Sequence, residues 1–170
     1  MLSVFSCPSR YTQGPNATTR LGTEIATLGL TGPLLVLATP SAMRLLSDTW
    51  RASFGESGIE YAVFGFGGEC SRAEIDRVVE AAREAKARAV VGAGGGKALD
   101  TARAVGAALG LAVVCCPTVA SSDAACSALS VIYDEAGTVE EIRTYGRNPD
   151  LVLVDTEVIA RAPARFLVAG

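Results

Sequence analysis

Histidine is absent from the 170-residue chain, so no imidazole of this chain can bind a metal or carry a proton. The sequence has no apolar run near the roughly 20 residues that a membrane-spanning helix needs. It has no basic run of the kind that binds nucleic acid, and the formal net charge is -3. The first residues, MLSVFSCPSRYTQG, lack a charged segment before an apolar core. We therefore expect a cytoplasmic protein with no membrane and no nucleic-acid partner.

The five cysteines form no CxxC pair. An odd number of cysteines without that spacing disfavours both a disulfide framework and a zinc site. Cys115 and Cys116 lie within an apolar run, where cysteine usually acts as a small buried hydrophobic residue. No metal site is therefore predicted in this chain.

The residues that are present favour one folded domain. Hydrophobic residues make up 49% of the chain and charged residues 19%, which is typical of a globular protein. A chain of this length buries about 70% of its unfolded surface. Short apolar runs alternate with amphipathic segments, which predicts an α/β fold with a parallel sheet and helices on both faces. Strands are expected over 2–5, 10–13, 34–38, 59–65, 89–91, 112–116 and 151–154, and helices over 17–28, after caps at Ser41 and Ser71, and from the glycines to Leu109.

The last third of the chain has a different pattern. Strand-like segments over 129–133 and 138–145 are separated by turn residues, which predicts a β-hairpin over or beside the sheet. Pro163 then opens a helical segment. A helix of about eight residues is not stable alone, so we expect 163–170 to begin a helix that leads to a further domain, and 1–162 to form the α/β domain.

The central motif is a glycine turn, Gly94-Gly95-Gly96-Lys97, between an apolar strand and a helix. Glycines permit a sharp turn, and amide groups at a helix N-terminus attract an anion such as a diphosphate, to which Lys97 adds a positive charge. The turn matches neither the GxGxxG spacing nor a Walker A loop, so a simple strand-to-helix connection is the alternative. A second loop of small residues, PTVASSD, follows the next strand. Both loops therefore follow the carboxyl ends of their strands, and ligands of open α/β sheets bind at the carboxyl edge of the sheet.

Five segments together resemble, in order, the nucleotide-binding half of glycerol dehydrogenases in the iron-containing, or group III, alcohol dehydrogenase family. They are FGGECSRAEIDRV, GGGKALDTARA, PTVASSDAACSALSVIY, NPDLVLVDTEVIA and APARFLVAG. The resemblance implies a Rossmann-like NAD-binding domain over 1–162 and NAD-linked oxidation of glycerol, or another small polyol, to dihydroxyacetone. It also implies a homo-oligomer and zinc or another divalent metal, bound by one aspartate and two histidines of a helical C-terminal domain that this chain does not contain.

The resemblance assigns roles to individual residues. The glycines and Lys97 would hold the diphosphate, the next loop would line the adenine and ribose, and the hairpin would face the nicotinamide. The cofactor-binding positions are Thr39, Gly94, Gly95, Gly96, Lys97, Thr118, Ser121, Ser127, Leu129 and Tyr133. Asp123 would bind the polyol, because a carboxylate accepts hydrogen bonds from hydroxyls. The alternatives are a helix cap for Asp123, ordinary loop hydrogen bonds for Thr118 and Ser121, and hairpin core for Leu129 and Tyr133.

Two other functions stay open. The first is another enzyme of the same superfamily, such as an sn-glycerol-1-phosphate dehydrogenase or a dehydroquinate synthase. Such enzymes act on phosphorylated or anionic substrates and would need basic residues around the substrate loop, whereas residues 121–130 contain none. The second is a non-catalytic nucleotide-binding module. For the dehydrogenase domain itself, the apolar face that meets the C-terminal domain would be exposed here and would favour self-association.

Thr39 departs from the family pattern. At the end of this strand the family commonly carries an aspartate, whose carboxylate accepts a hydrogen bond from the adenosine ribose. Threonine cannot repel a 2′-phosphate as a carboxylate does. The sequence therefore predicts weaker discrimination between NAD and NADP than in relatives with aspartate.

A Thr39→Asp variant tests this prediction. We expect it to raise the preference for NADH over NADPH by about tenfold, because a like charge would face the 2′-phosphate. The measurement is the ratio of the two dissociation constants, from nucleotide fluorescence titrations. An unchanged ratio would contradict the prediction.

Overall fold

A six-stranded parallel sheet forms the centre of the computed structural model, which describes residue 3 and residues 5–120 and 123–168. Its strands, with the two strands of a separate hairpin, are β1 (Arg10–Gly14), β2 (Leu34–Ala38), β3 (Tyr61–Gly65), β4 (Ala89–Gly94), β5 (Ala112–Pro117), β6 (Leu129–Tyr133), β7 (Val139–Thr144) and β8 (Leu151–Asp155). The sheet order is β1-β8-β5-β4-β2-β3, and each neighbouring pair is parallel. The expected α/β architecture is confirmed.

Helices cover both faces of this sheet. They are α1 (Leu21–Thr27), α2 (Pro40–Glu56), α3 (Arg72–Glu84), α4 (Gly96–Leu109), α5 (Thr156–Ala160) and α6 (Ala164–Val168), with 3-10 turns at Ala17–Arg20 and Asp123–Ala125. Successive residues of a strand point to opposite faces. Accordingly, Leu34 and Val36 of β2 pack with α1 and α2, whereas Leu35 and Leu37 pack with α3 and α4. None of the described helices is long and apolar enough to cross a bilayer.

Several boundaries differ from the sequence-based expectation. Thr39, not Ser41, is the N-cap of α2, because Pro40 occupies the first helical position and the Thr39 hydroxyl accepts a hydrogen bond from the Ala42 amide. The first helix begins as a 3-10 turn after Asn16, whose backbone is left-handed. β3 begins at Tyr61 rather than at residue 59. The strand expected over 2–5 is not present at residues 3 and 5, and its other positions lie outside the described residues.

The predicted hairpin is present as β6 and β7, which form their own antiparallel sheet with an irregularity at Tyr133. It packs on α3 and α4 rather than on the large sheet. Ile132 is buried with residues of both helices, and the Tyr133 amide donates to the carbonyl of Cys70 at 2.8 Å. Arg72 at the start of α3 pairs with Glu140 and Glu141 of β7. The hairpin therefore extends the helical layer at the carboxyl edge of the sheet.

The sheet order creates a crevice between β2 and β4. The chain leaves β2 toward α2 on one face and leaves β4 toward α4 on the other face. Two loops that diverge in this way open a gap at the carboxyl edge, and ligands of open α/β sheets bind at such gaps. The fold thus places Thr39 and the glycine turn on the two sides of one crevice.

A second, apolar groove of about 360 Å³ lies beside β1 and β8. Its walls include Tyr11, Val119, Val152, Val154 and Ile159. The Tyr11 side chain is exposed. This groove is an exposed apolar surface of the kind that the sequence predicts, while self-association stays a prediction.

Burial predicts which thiols react. Desolvation raises the pKa of Cys70 to about 11 and that of Cys115 to about 12, and it raises the pKa of buried Cys116 further. The reactive thiolate is therefore scarce at these three residues below pH 9. Cys7 is exposed. We expect dithionitrobenzoate at pH 8 to label Cys7 rapidly, and the three buried cysteines only after unfolding.

The control for this experiment is Cys7→Ser, which should abolish the rapid phase. Mass spectrometry of tryptic peptides would assign each labelled thiol. Labelling of Cys70, Cys115 or Cys116 as fast as Cys7 in the native protein would contradict the burial described above.

Candidate functional site

The glycine turn ends β4 and starts α4 without interruption. Gly94 is the last strand residue, and its carbonyl accepts a hydrogen bond from the Thr118 amide at 2.9 Å. Gly95 is the N-cap, and its carbonyl accepts from the amides of Ala98 and Leu99 at 3.0 and 3.2 Å. The amides of the first helical residues have no acceptor within their own helix. With the positive end of the helix dipole behind them, they form a site suited to an anion.

Gly94 has no room for a side chain. An added Cβ would lie 2.6 Å from Cγ2 of Thr39 and 2.9 Å from Cβ of Ala98, both well inside van der Waals contact. At Gly95 the same atom would lie 3.4 Å from Cγ2 of Val119. The turn therefore excludes larger residues at position 94, because the ends of β2, β4 and β5 lie close together there.

Thr39 links the turn to α2. Its amide donates to the Ala93 carbonyl at 3.1 Å. Its hydroxyl accepts from the Ala42 amide at 3.3 Å and lies 3.1 Å from the Ser41 hydroxyl. The Thr39 side chain is thus a helix cap whose own proton stays available to Ser41 or to a ligand.

Lys97 extends from the first turn of α4 toward the hairpin. Its ammonium lies 2.5 Å from Oε2 of Glu69 and 4.6 Å from the centre of the Tyr133 ring. Two expected cofactor-binding residues, Lys97 and Tyr133, are therefore in contact. Sequence reasoning missed Glu69, which follows Gly68 in the loop between β3 and α3. A diphosphate at the turn would compete with this carboxylate for Lys97.

The loop before β6 carries the remaining expected residues. Asp123 is exposed, and its backbone carbonyl accepts from the amides of Cys126 and Ser127. Ser127 has a buried hydroxyl with no hydrogen-bond partner within the part of the chain that the structure describes. Such a group costs free energy unless a ligand satisfies it. Leu129 is half-buried. Ser121, the other expected residue of this region, lies outside the described residues.

A buried ion pair on α4 holds this loop. Arg103 and Asp100 have side chains that are 3% and 9% exposed, and Nη1 of Arg103 donates to Oδ1 of Asp100 at 2.8 Å. The same guanidinium donates to the carbonyls of Ala124 and Leu129. Oδ2 of Asp100 accepts from the Val131 amide at 3.0 Å. One helix therefore carries both the glycine turn and the anchor of the loop that contains Asp123.

Asp100 lies beyond the first turn of α4 and does not act as a partner of the helix dipole at its N-terminus. Asp100 is the fifth residue of α4, and it is buried against the hairpin. Burial raises its pKa, although the Val131 amide and Arg103 oppose that shift. The available signal was an Asp and an Arg three residues apart in a helix whose other residues are mostly apolar, since buried charges require partners.

The described residues do not fit a metal site. Among residues 3, 5–120 and 123–168, no group of three or more cysteine, aspartate or glutamate residues is arranged to hold a metal ion, and the chain has no histidine.

Comparisons with known proteins agree on one family. The family model described as iron-containing alcohol dehydrogenase matches residues 8–156. Glycolaldehyde reductase of Halobacterium salinarum is 48% identical, and glycerol dehydrogenase of Citrobacter freundii is 45% identical, over 170 residues in each case. Each match covers 100% of this chain and 46% of the relative. The chain therefore spans less than half the length of these curated relatives.

A solved structure is similar as well. The crystal structure of a probable glycerol dehydrogenase from Sinorhizobium meliloti 1021 superposes with a TM-score of 0.89 at 40% sequence identity. The match covers 99% of this chain and 45% of that one. The fold described above is thus that of the corresponding part of a longer protein.

An Arg103→Met variant tests the anchor. We expect it to lower the free energy of unfolding by about 3 kcal/mol or more, because it leaves the Asp100 carboxylate buried without its partner. Urea unfolding followed by circular dichroism would measure this as a lower midpoint at an unchanged slope.

The matched control for this variant is Arg83→Met on α3. Arg83 pairs with Glu80, and both side chains are well exposed, so the expected loss is below about 0.5 kcal/mol. Equal midpoints for the two variants would show that the Arg103 pair does not stabilise the fold.

Proposed function

Since the chain belongs to the iron-containing alcohol dehydrogenase family, we propose that it is the nucleotide-binding part of an NAD-linked glycerol dehydrogenase. The reaction converts glycerol, or a related small polyol, to its hydroxyketone, here dihydroxyacetone. The polyol loses a hydride and a proton, and NAD gains the hydride. The observation that carries the proposal is the junction of the glycine turn, Thr39 and the Asp123 loop at one edge of the sheet.

The described residues suit NAD. The crowded glycine turn leaves the backbone amides at the start of α4 open to a diphosphate, and Thr118 is hydrogen-bonded directly to Gly94. The buried, unpartnered hydroxyl of Ser127 suits an amide such as the nicotinamide carboxamide. When bound, the nicotinamide would accept the hydride from the substrate carbon.

Asp123 is proposed to bind the polyol. It is exposed on a loop whose backbone Arg103 holds from below. A carboxylate accepts hydrogen bonds from two vicinal hydroxyls, and a site built for hydroxyls rejects analogues that lack them. The guanidinium of Arg103 is buried and engaged by Asp100 and two carbonyls, so its charge does not suit a phosphorylated substrate.

A metal that activates the alcohol would need ligands from elsewhere in the protein. The matched relatives are more than twice as long as this chain. We propose that zinc or another divalent ion is held by residues beyond the matched part. This chain then supplies the nucleotide site and one wall of the polyol site.

A second candidate substrate is glycolaldehyde. The relative from Halobacterium salinarum, named glycolaldehyde reductase, is 48% identical to this chain. Glycolaldehyde is a two-carbon hydroxyaldehyde, and its reduction gives a vicinal diol, which presents the same two hydroxyls to Asp123. The two candidates therefore share a site and differ in the size of the substrate.

The test uses the protein expressed from its complete gene. We expect NAD-linked oxidation of glycerol and NADH-linked reduction of dihydroxyacetone. An Asp123→Ala variant should raise KM for glycerol by about tenfold or more, because a buried hydroxyl of the substrate loses its acceptor. The dissociation constant for NADH should not change.

Asp48→Ala is the control, since Asp48 lies on the exposed side of α2. A preference for glycolaldehyde over dihydroxyacetone would favour the second candidate. Turnover of sn-glycerol 1-phosphate instead of glycerol would contradict both. Binding of NADH with no turnover of any of these compounds would favour a nucleotide-binding module.

A further inference from the structure

A cleft of about 340 Å³ opens beside the end of β2. It lies between the start of α2, the loop after β5 and the segment that joins α5 to α6. The lining residues are Ser41, Ala42, Leu45, Thr118, Val119, Val158, Arg161, Ala162, Pro163, Arg165 and Phe166. The walls are thus mainly apolar, with hydroxyls on one side and two guanidinium groups on the other.

The charge of this cleft has one sign. Arg161 and Arg165 line it, and none of its described lining residues is an aspartate or a glutamate. The nearest paired carboxylate is Glu157, whose Oε2 lies 3.9 Å from Arg161 and which lines the adjoining cleft instead. That distance exceeds a hydrogen bond. The guanidinium carbon of Arg165 lies over the ring of Phe166, 4.8 Å from its centre.

The cleft adjoins the proposed diphosphate site. Thr118 lines the cleft and also donates its amide to the Gly94 carbonyl. On the opposite side, Thr39 packs against Gly94, and its hydroxyl lies 3.1 Å from that of Ser41, another lining residue. A dinucleotide with its diphosphate at the glycine turn would therefore direct its adenosine ribose toward Thr39, Ser41 and the two arginines.

We propose that this cleft binds the 2′-phosphate of NADP, so that the protein uses both NAD and NADP. Arg161 and Arg165 supply the cationic contacts, and the hydroxyls of Thr39 and Ser41 supply neutral donors. In dinucleotide-binding folds an acidic residue at this point selects NAD, and a nearby arginine accommodates the 2′-phosphate. Here the residue at the end of β2 is Thr39, and Arg161 and Arg165 line the cleft that its neighbour Ser41 also lines.

The proposal rests on the proposed function only for the placement of the diphosphate. It adds Arg161, which follows α5, and Arg165 of α6. The sequence alone did not connect these two arginines with Thr39. Arginine suits this role because its planar fork donates two parallel hydrogen bonds to a phosphate.

The experiment titrates the full-length protein with NADH and with NADPH, followed by nucleotide fluorescence. For the unchanged protein we expect the two dissociation constants to agree within about tenfold. The double variant Arg161→Gln/Arg165→Gln should weaken NADPH about tenfold or more and leave NADH within about twofold. The matched control is Arg51→Gln/Arg83→Gln, which removes the same charge from exposed helix positions and should change neither constant.

Competition with mononucleotides measures the contribution of the 2′-phosphate to binding. Adenosine 2′,5′-bisphosphate should displace NADH at about tenfold lower concentration than 5′-AMP, and the double variant should abolish that difference. Equal displacement by the two compounds, or an equal loss of NADH and NADPH in the double variant, would overturn the proposal. NADH binding with glycerol turnover but without NADPH binding would overturn it and leave the proposed function intact. Failure to bind either dinucleotide would overturn both.

Discussion

The close approach of β2, β4 and β5 at their carboxyl ends is the constraint on which the rest of the site depends. Gly94 has no side chain, so Thr39 and Ala98 can occupy the space where a Cβ would lie. Because the strand ends are this close, one crevice brings together the helix cap of α2, the amides at the start of α4 and the loop that follows β5. A larger residue at Gly94 would separate these groups and remove the anion site.

The second organising feature is α4, which connects the nucleotide side to the proposed substrate side. Its first turn presents backbone amides, and its next turn buries Asp100 and Arg103 against the hairpin and the Asp123 loop. A buried ion pair contributes little net stability compared with apolar packing, but the loss of one partner is costly. The pair therefore keeps the loop in one position relative to the glycine turn, which the proposed hydride transfer would require.

Much of the fold could be predicted from local patterns. Continuous apolar runs such as 34–38 and 89–91 are typical of buried parallel strands, and the Ser71 capping box marked the start of α3 correctly. Local patterns failed where two nearby residues were suited to the same structural role. Ser41 and Thr39 are both good helix caps, and Pro40, which has no amide proton and a fixed φ, decided in favour of Thr39. The burial of Asp100 could not be predicted from its neighbours in the chain, because the hairpin that covers it is distant in the sequence.

The sequence by itself determined the fold class, the family and the position of the glycine turn, because these depend on periodicity and on motifs that are continuous along the chain. The tertiary structure decided which charges meet. It paired Lys97 with Glu69, and it brought Arg161 and Arg165 to the same cleft as Ser41 and Thr118. Such contacts join residues from different elements, and their positions follow from the order and twist of the strands, which no local segment specifies.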